Sequence, residues 1–485
     1  MKKFYITLVT FLFLAVANAQ IVNIPDSAFK AKLLAASPSN QIASSQTPIY
    51  DSSNDTWTIF SYNKIDTNND GEIQVSEAQT IKCLNVNSSG ITNLEGIASF
   101  TNIIYLNCSV NQLFLLNIQG LTNLQFLNCG SNHLLSLNVQ GLTNLKNLNC
   151  YYNQLSSLNV QGSANLQTLY CYNNLLQSLN VQGLTNLQIL HCSSNSLPSL
   201  NLQGLTNLQA LHCSVNSLPS INVQGLTNLQ SLYCYQNQLA SLNVQGLTNL
   251  QNLYCNNNQL ASLNVQGLTN LQILNCYNNQ LTSLNVEGLT NLISLSCYYN
   301  GISSINVQGL TNLQALYCYL NLLTSINIQG LTNLQVLDCS NNQLTSLFIK
   351  NGNPQFWSLL DFSSNYNLAY ICADEEDVAF VQTKITEYVY TNCTVDSNCN
   401  LSVDTNLYDD NYFTIYPNPV DEVLNLNTKQ TTKVYSLTIY NLLGQQVQTT
   451  TNPTNTVDVS SLKTGNYIVK VVTDKGVSSS KFVKE

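Results

Sequence analysis

The chain has no arginine. Its 16 basic residues are all lysine, they are outnumbered by 25 acidic ones, and charged residues make up only 8% of the 485 positions. A net charge of −9 carried without arginine lacks the electrostatic footprint of a nucleic-acid binder. It also lacks the forked donor usually chosen to clamp phosphates and carboxylates. Between Asn102 and Gln343 the only charged residues are Lys146, Glu287 and Asp338. No carboxylate pair and no Ser/His/Asp cluster can be placed there with the geometry that acid–base chemistry needs, so the sequence does not read as an enzyme.

Long apolar runs are also missing after the first twenty residues. The start, MKKFYITLVTFLFLAVANAQ, has a basic end (Lys2, Lys3), an apolar core and small residues at Ala17 and Ala19. That pattern predicts a secretory signal over 1–19, cleaved after Ala19, and no transmembrane helix in the mature chain.

What the chain does have is a period. Cys108, Cys129, Cys150, Cys171, Cys192, Cys213, Cys234, Cys255, Cys276, Cys297, Cys318 and Cys339 lie 21 residues apart, in units of the form GLTNLQxLxCxxNQLxSLNVQ. Alternation at LxC and LxV is the signal of a strand with one buried face. Such strands are too short to be stable alone, and stacking coils to share a core is the logic of a solenoid.

The motif L-x-x-L-x-C-x-x-N-x-L, as in Leu124, Leu127, Cys129, Asn132 and Leu134, resembles a bacterial leucine-rich repeat with cysteine where leucine is usual. The resemblance covers roughly 84–371. It implies a mainly β, right-handed leucine-rich-repeat solenoid with short helical caps and a parallel sheet on the concave face. A second, narrower run of strands is expected at LNV on the other side.

Neighbouring ladder cysteines on in-register strands would be about 4.8 Å apart. Their side chains run parallel, which suits neither the disulfide dihedral nor a tetrahedral metal site. The expectation is a column of inert, buried thiols, with disulfides and metal as the weaker alternatives. A second column, Asn111 to Asn342, is expected to satisfy backbone groups of its own and adjacent coils.

Solenoid ends need caps. Residues 20–83 read as an N-terminal cap with a helix starting near Asp26. Residues 372–412 read as a C-terminal cap and linker, with a helix over 373–389 whose apolar positions are Val378, Val381, Ile385 and Val389. Cys83, Cys372, Cys393 and Cys399 lie outside the ladder. A disulfide among the last three is plausible, with the pairing left open.

Residues 413–485 alternate in strand fashion and read as a small C-terminal β-sandwich. They resemble the C-terminal sorting domain of type IX secretion. The resemblance is carried by Tyr416-Pro417-Asn418-Pro419, by Gly444 in YNLLGQQV, by Gly465 and Tyr467 in LKTGNYIVKV, and by the tail Lys481–Lys484. It implies handling by the type IX machinery of a Gram-negative bacterium, export across the outer membrane, and then release or attachment to the outer cell surface.

One segment has ligand chemistry. DTNNDGEIQVSE, residues 66–77, matches the calcium-loop pattern D-x-[DN]-x-[DN]-G with glutamate at position 12. Asp66, Asn68 and Asp70 would supply side-chain oxygens, Glu72 its carbonyl, Gln74 a direct or water-bridged contact, and Glu77 both carboxylate oxygens. Ile73 would enter the core. The loop resembles EF-hand and dockerin loops in a single copy, implying one structural Ca2+.

The variable chemistry flanks the cysteines. Of the 24 residues immediately before and after them, ten are tyrosine and most others are Asn, Ser or His. Tyrosine gives large amphipathic contact area at low entropy cost. The candidate ligand-binding residues are Tyr151, Tyr170, Tyr172, His191, His212, Tyr233, Tyr235, Tyr254, Tyr277, Tyr298, Tyr317 and Tyr319. The function expected is non-enzymatic binding or adhesion to an extracellular glycan or protein; the alternative is a structural coat component without a specific ligand.

Overall fold

The computed structural model describes residues 20–353, 357–399, 413–428, 433–441, 445–451, 453, 455–473 and 476–485. The expected signal, the linker residues 400–412 and Gly444 lie outside the described residues. The chain divides into two compact units, Met1–Cys399 and Asn400–Glu485.

The first unit is a mainly β solenoid. Fifteen strands form one sheet; fourteen of them, from Cys83–Asn85 to Leu359–Asp361, run parallel, and Ala43–Ser44 pairs antiparallel to the first. Each regular coil contributes three residues in strict register, as Ser231–Tyr233 does with its neighbours: Leu232 pairs with Leu211 and Leu253. The central leucine points inward and its two flanks stay half-exposed. The cysteine follows just after the strand rather than inside it, but its N–H extends the ladder: Cys234 donates to the Tyr254 carbonyl at 2.8 Å.

Two residues past each ladder cysteine the backbone turns left-handed, with φ between +49° at Tyr152 and +56° at Val110. That turn swings the next residue, the ladder asparagine, inward. Asn174 accepts from the Leu155 N–H at 3.0 Å and donates to the carbonyls of Cys150 and Cys171, both at 3.0 Å. Each cysteine carbonyl therefore receives two amides, from its own coil and the next. The cysteines themselves are buried and unpaired, packed in one core with the leucines. A further asparagine column was not anticipated: the Asn of each LTNL donates to a carbonyl one coil earlier, as Asn228 does to Thr206 at 2.9 Å and Asn186 to Ala164 at 3.0 Å.

The second strand run is broken. It exists at Ser136–Asn138 with Ser157–Asn159, and again from Ser325–Asn327 through Ser346–Phe348 and Tyr370–Cys372 to Thr394–Asp396. Between them, Pro198 and Pro219 sit where other coils donate an N–H across, as Ser156 does to Leu135. The other interrupted coils carry no such residue, and nothing in the structure explains them.

Both caps form. Helix Ser27–Leu34 is capped by Asp26, which accepts from Phe29 N–H at 2.9 Å and ties down Thr92 and Asn93 of the first coils. At the far end, helix Val378–Glu387 buries Val381 and Ile385. Val378 is half-buried, and Val389, expected on that apolar face, lies past the helix end at φ +61° and 78% exposed. Tyr390 closes the asparagine column: its hydroxyl donates to the Phe362 carbonyl at 2.7 Å and accepts from Asn365 N–H at 2.9 Å.

The structure fills in the pairing that was left open and shortens the linker. Cys372 pairs with Cys399, leaving Cys393 free. Cys83, read as an outlier, lies in a sheet strand opposite Tyr105 and is buried. Residues 394–399, read as linker, extend the second sheet and carry the disulfide.

The second unit has a three-stranded sheet (Phe413–Tyr416, Val423–Thr428, Thr456–Asp458) and a four-stranded one (Val434–Asn441, Gln446–Thr451, Gly465–Thr473, Gly476–Lys484). They enclose one core that includes Leu424, Leu426, Leu437, Ile439, Val469 and Phe482.

Candidate functional site

The long sheet presents the residues before and after each cysteine on its outward face, because the leucine and cysteine between them point into the core. In-register strands bring like residues within ring-stacking distance. Tyr151 stacks on Tyr172 (centroids 5.0 Å), Tyr172 on His191 (4.2 Å), His212 on Tyr233 (4.3 Å) and Tyr233 on Tyr254 (4.5 Å), with His191 and His212 tilted at 4.7 Å. A second stack joins Tyr277, Tyr298 and Tyr319 at 4.3 and 4.2 Å. Tyr170 meets His191 edge-on at 6.2 Å. Tyr235 and Tyr317 enter neither stack. Gly130 makes room for the first ring, since a Cβ there would sit 2.8 Å from Tyr151.

The rings thus follow a path of two stacks that switches sides along the coils. It occupies the after-cysteine position at Tyr151 and Tyr172, crosses to the before-cysteine position from His191 to Tyr254, and returns at Tyr277. The face is neutral. Burial, with His212 alongside, pushes the His191 imidazole down to about 4, and burial lowers His212 as well. Burial raises the hydroxyls of Tyr233, Tyr298 and Tyr319. Burial thus favours the neutral form of both imidazoles and of these three hydroxyls.

A feature missed in the sequence covers the start of this face. Strands Ile49–Asp51 and Thr56–Thr58 form a hairpin whose Trp57 packs edge-on against Tyr105 (6.2 Å) and Phe126 (6.0 Å), which are themselves stacked at 4.3 Å. Trp57 Nε1 donates to Asn147 Oδ1 at 3.0 Å, and Asn147 also bonds Thr168 at 2.8 Å. The usable signals were Tyr50 and Trp57 flanking the turn-prone Ser-Ser-Asn-Asp, and large rings at Tyr105 and Phe126, the first residue of each strand rather than the third. The open face begins beyond this hairpin.

Loop 66–77 folds with its first and last acids, Asp66 and Glu77, turned inward. Asp66, Gln74 and Glu77 are buried and Ile73 is wholly enclosed, as expected. Asp66 accepts from the N–H groups of Asp70 and Gly71 (3.2 and 3.3 Å), and Asp70 from that of Glu72 (2.8 Å). Glu77 accepts from Thr67 and Gln74 N–H groups on its two oxygens (2.7 and 3.1 Å). Asn68 and Gln74 close on Asp70 Oδ2 (2.9 and 2.7 Å). Gly71 takes φ +81°, which a side chain would strain. The Glu72 side chain turns away to Lys30 at 2.6 Å, so only its carbonyl remains for the loop interior. Among the described residues no three His, Cys, Asp or Glu side chains gather closely enough to hold a metal by themselves; here amides and carbonyls would have to complete the set.

In the second unit, Asn418 of the Tyr-Pro-Asn-Pro motif ties to the tail: it accepts from Val483 N–H at 2.8 Å and donates to the Lys481 carbonyl at 3.2 Å. Tyr467 packs on Phe482 and donates to the Lys463 carbonyl at 2.8 Å.

Comparison with known proteins agrees with this division. The solenoid is similar to the functional domain of InlJ from Listeria monocytogenes, which includes a cysteine ladder: 24% identity, TM-score 0.53, covering 85% of this chain and 93% of that one. A leucine-rich-repeat protein of Leptospira interrogans matches at 26% identity and TM-score 0.53 over 66% of this chain and 97% of its own. An internalin (InlF) of L. monocytogenes matches at 26% and 0.53 over 60% and 90%. A search of curated proteins finds no match. Among the described residues no helix is long and apolar enough to cross a membrane. Residues 414–485 match the family described as the secretion system C-terminal sorting domain, so the chain carries a leucine-rich-repeat-like solenoid together with a tail that marks it for type IX secretion, to the medium or the cell surface.

Proposed function

We propose that the protein is a non-enzymatic binding or adhesion protein that recognises an extracellular glycan or protein through the outward aromatic face of its long sheet. The observation that carries this reading is the set of nine rings in two stacks on a face with almost no charge. Stacking hides most ring faces against their neighbours, so a ligand meets ring edges and tyrosine hydroxyls, which suit neutral, hydroxyl-rich or amide-rich partners. The similarity to internalin-type surface proteins and the sorting tail support placement where such partners are met.

The test is an array of glycans and extracellular proteins probed with the chain and with the double substitution Tyr298→Ser, Tyr319→Ser. Selective, nearly salt-independent binding that the double substitution weakens is expected, because the face offers few charges for salt to screen. The same stacking favours a second reading, a structural coat, in which rings only staple coils together. In that case no ligand is retained on the array and the double substitution lowers stability alone.

We also propose that loop 66–77 binds one calcium ion. Asp66, Asn68, Asp70, Gln74 and Glu77 would offer side-chain oxygens and Glu72 its carbonyl. The buried, inward-turned carboxylates of Asp66 and Glu77 support this. The cation would neutralise those carboxylates and cross-link the N-terminal cap. A structural role fits a single loop packed beneath the first coils.

A further inference from the structure

The aromatic file has a break, and the break is not a necessary result of its change of side. The first crossing, Tyr172 to His191, keeps the rings 4.2 Å apart. At the second, Tyr254 and Tyr277 do not stack, and a cavity of about 290 Å3 opens between them. The positions the rings vacate are filled by asparagines: Asn275 beside Tyr254 on the next strand, and Asn256 before Tyr277. Along the after-cysteine column, Asn256 is flanked by Tyr235 and Tyr277. Those two lie two strand spacings apart, about 9.6 Å, which is the room one missing ring would take.

The two asparagines combine an unsatisfied amide oxygen with a place in the lining of the gap. The amide oxygens of Asn256 and Asn275 are buried and have no hydrogen-bond partner, although Asn256 as a whole is 3% exposed. Two of the three asparagines earlier in the before-cysteine column are satisfied, since Asn107 and Asn128 accept from the N–H two residues on at 3.1 and 3.0 Å; the third, Asn149, also lacks a partner for its oxygen but does not line the gap. An unpaired buried oxygen is costly. The terminal torsion of asparagine is broad, so rotation about Cβ–Cγ can turn either amide toward a donor in the cavity.

We infer that this gap, formed by Tyr235, Tyr254, Asn256, Asn275 and Tyr277, is a subsite for one neutral sugar ring of a glycan. The inference rests on the reading of the outward face as a binding surface, and it sharpens that reading to one place and one ligand chemistry. A pyranose offers an apolar C–H face to the tyrosine rings and several hydroxyl donors along its edge for the two amide oxygens. A phenylalanine ring from a partner protein would fill the same space and leave both oxygens unpaired, and a tyrosine could serve only one. No charged side chain lines the cavity, so neither an acidic nor a basic sugar gains from it. Its volume lies at the lower end of small-molecule pockets, near ~300 Å3, which suits a single ring.

The experiment is NMR titration of the full chain with methyl glycosides of glucose, galactose, mannose and N-acetylglucosamine and their short oligomers. Asn256→Tyr, which supplies the missing ring, and Val215→Asn, which lies outside the gap, serve as comparisons. At least one probe is expected to shift the ring signals of Tyr235, Tyr254 and Tyr277. Asn256→Tyr should weaken that probe at least tenfold with circular dichroism and melting temperature maintained or raised, while Val215→Asn binds as the unaltered chain does. Equal binding by Asn256→Tyr overturns the inference. So does binding seen only at Tyr298 and Tyr319, in which case the face still binds ligands but not through the gap. If no glycoside binds while an aromatic peptide shifts the gap tyrosines, the sugar assignment falls and the binding face stands. If nothing binds on either the array or the titration, both readings fall.

Discussion

Asn174→Ala tests whether the asparagine column holds the coils together. Asn174 accepts from Leu155 N–H (3.0 Å) and donates to the carbonyls of Cys150 (3.0 Å), Cys171 (3.0 Å) and Tyr172 (3.3 Å). The carbonyls are not orphaned by its loss. Cys150 keeps the Asn153 amide and Cys171 keeps that of Asn195, each at 3.1 Å, and Tyr172 keeps the Tyr152 N–H. Only the Leu155 N–H is left buried without a partner, which costs about 1–3 kcal/mol, and two further bonds at about 0.5–1.5 kcal/mol net each are lost. The expected destabilisation is therefore about 2–6 kcal/mol. Asn174→Asp keeps the acceptor for Leu155 but turns a carboxylate oxygen toward three carbonyls, so it should be worse than alanine. Because long arrays need not unfold in one step, denaturant melts should be joined by hydrogen exchange at the Leu155 amide. That amide should lose protection ahead of its neighbours one coil away. A loss under about 0.5 kcal/mol, or aspartate tolerated as well as asparagine, would refute the argument.

Thiol labelling at pH 8 should modify Cys393 alone in the native chain and all fourteen free cysteines after denaturation. Burial pushes Cys108, Cys192, Cys255 and Cys297 to about 12, leaving about a thousandfold less thiolate than an ordinary thiol before occlusion is counted. Val215→Asn should stabilise by about 1 kcal/mol in a denaturant melt, because a β-branched residue is held there at φ +54° where four other coils carry asparagine. Asp66→Ala with Glu77→Ala should abolish a single calcium site seen by calorimetry. A chelator should then lower the melting temperature of the unaltered chain only, the ion contributing about 2.7 kcal/mol at a free concentration a hundredfold above Kd. The His191 ring should titrate near pH 4 by NMR. Since the unfolded chain takes up that proton near 6.5, stability should be complete above 6.5 and fall as pH drops toward 4.

The solenoid was legible because its determinants repeat. A residue buried at one position of a coil is buried at that position in every coil, so Leu232, Cys234 and Asn237 could be assigned from spacing alone. Features that occur once gave no such averaging. The hairpin over Tyr105 and Phe126 depends on one tryptophan meeting rings about fifty and seventy residues away in sequence, which no local pattern encodes. The Cys372–Cys399 pairing depends on Thr394–Asp396 joining the second sheet beside Tyr370–Cys372, a strand too short and polar to stand out. Cys83 does lie outside the ladder, but its burial in the sheet was not legible, because in the irregular first coil it takes the position that holds Tyr105 in the next.

The candidate face shows the same division more sharply. Which residues point outward follows from alternation: six of the twelve named rings end strands of the long sheet and the other six lie two residues beyond a strand end. How those rings meet does not follow, because stacking depends on the side of the cysteine from which each ring reaches across to its neighbour. Two tyrosines in adjacent coils stack when they share a column, as Tyr233 and Tyr254 do, and are parted when they do not, as with Tyr254 and Tyr277. The histidines bridge where tyrosines change sides at Tyr172, so the first crossing is filled by a ring that reaches the one before it. At the second crossing asparagine takes both vacated places. A periodic frame thus makes a uniform surface the default, and departures from it are where individual residues decide what can be bound. The frame explains why the rings are there; only the exceptions at Asn256 and Asn275 separate a surface that staples its own coils from one that leaves a place for another molecule.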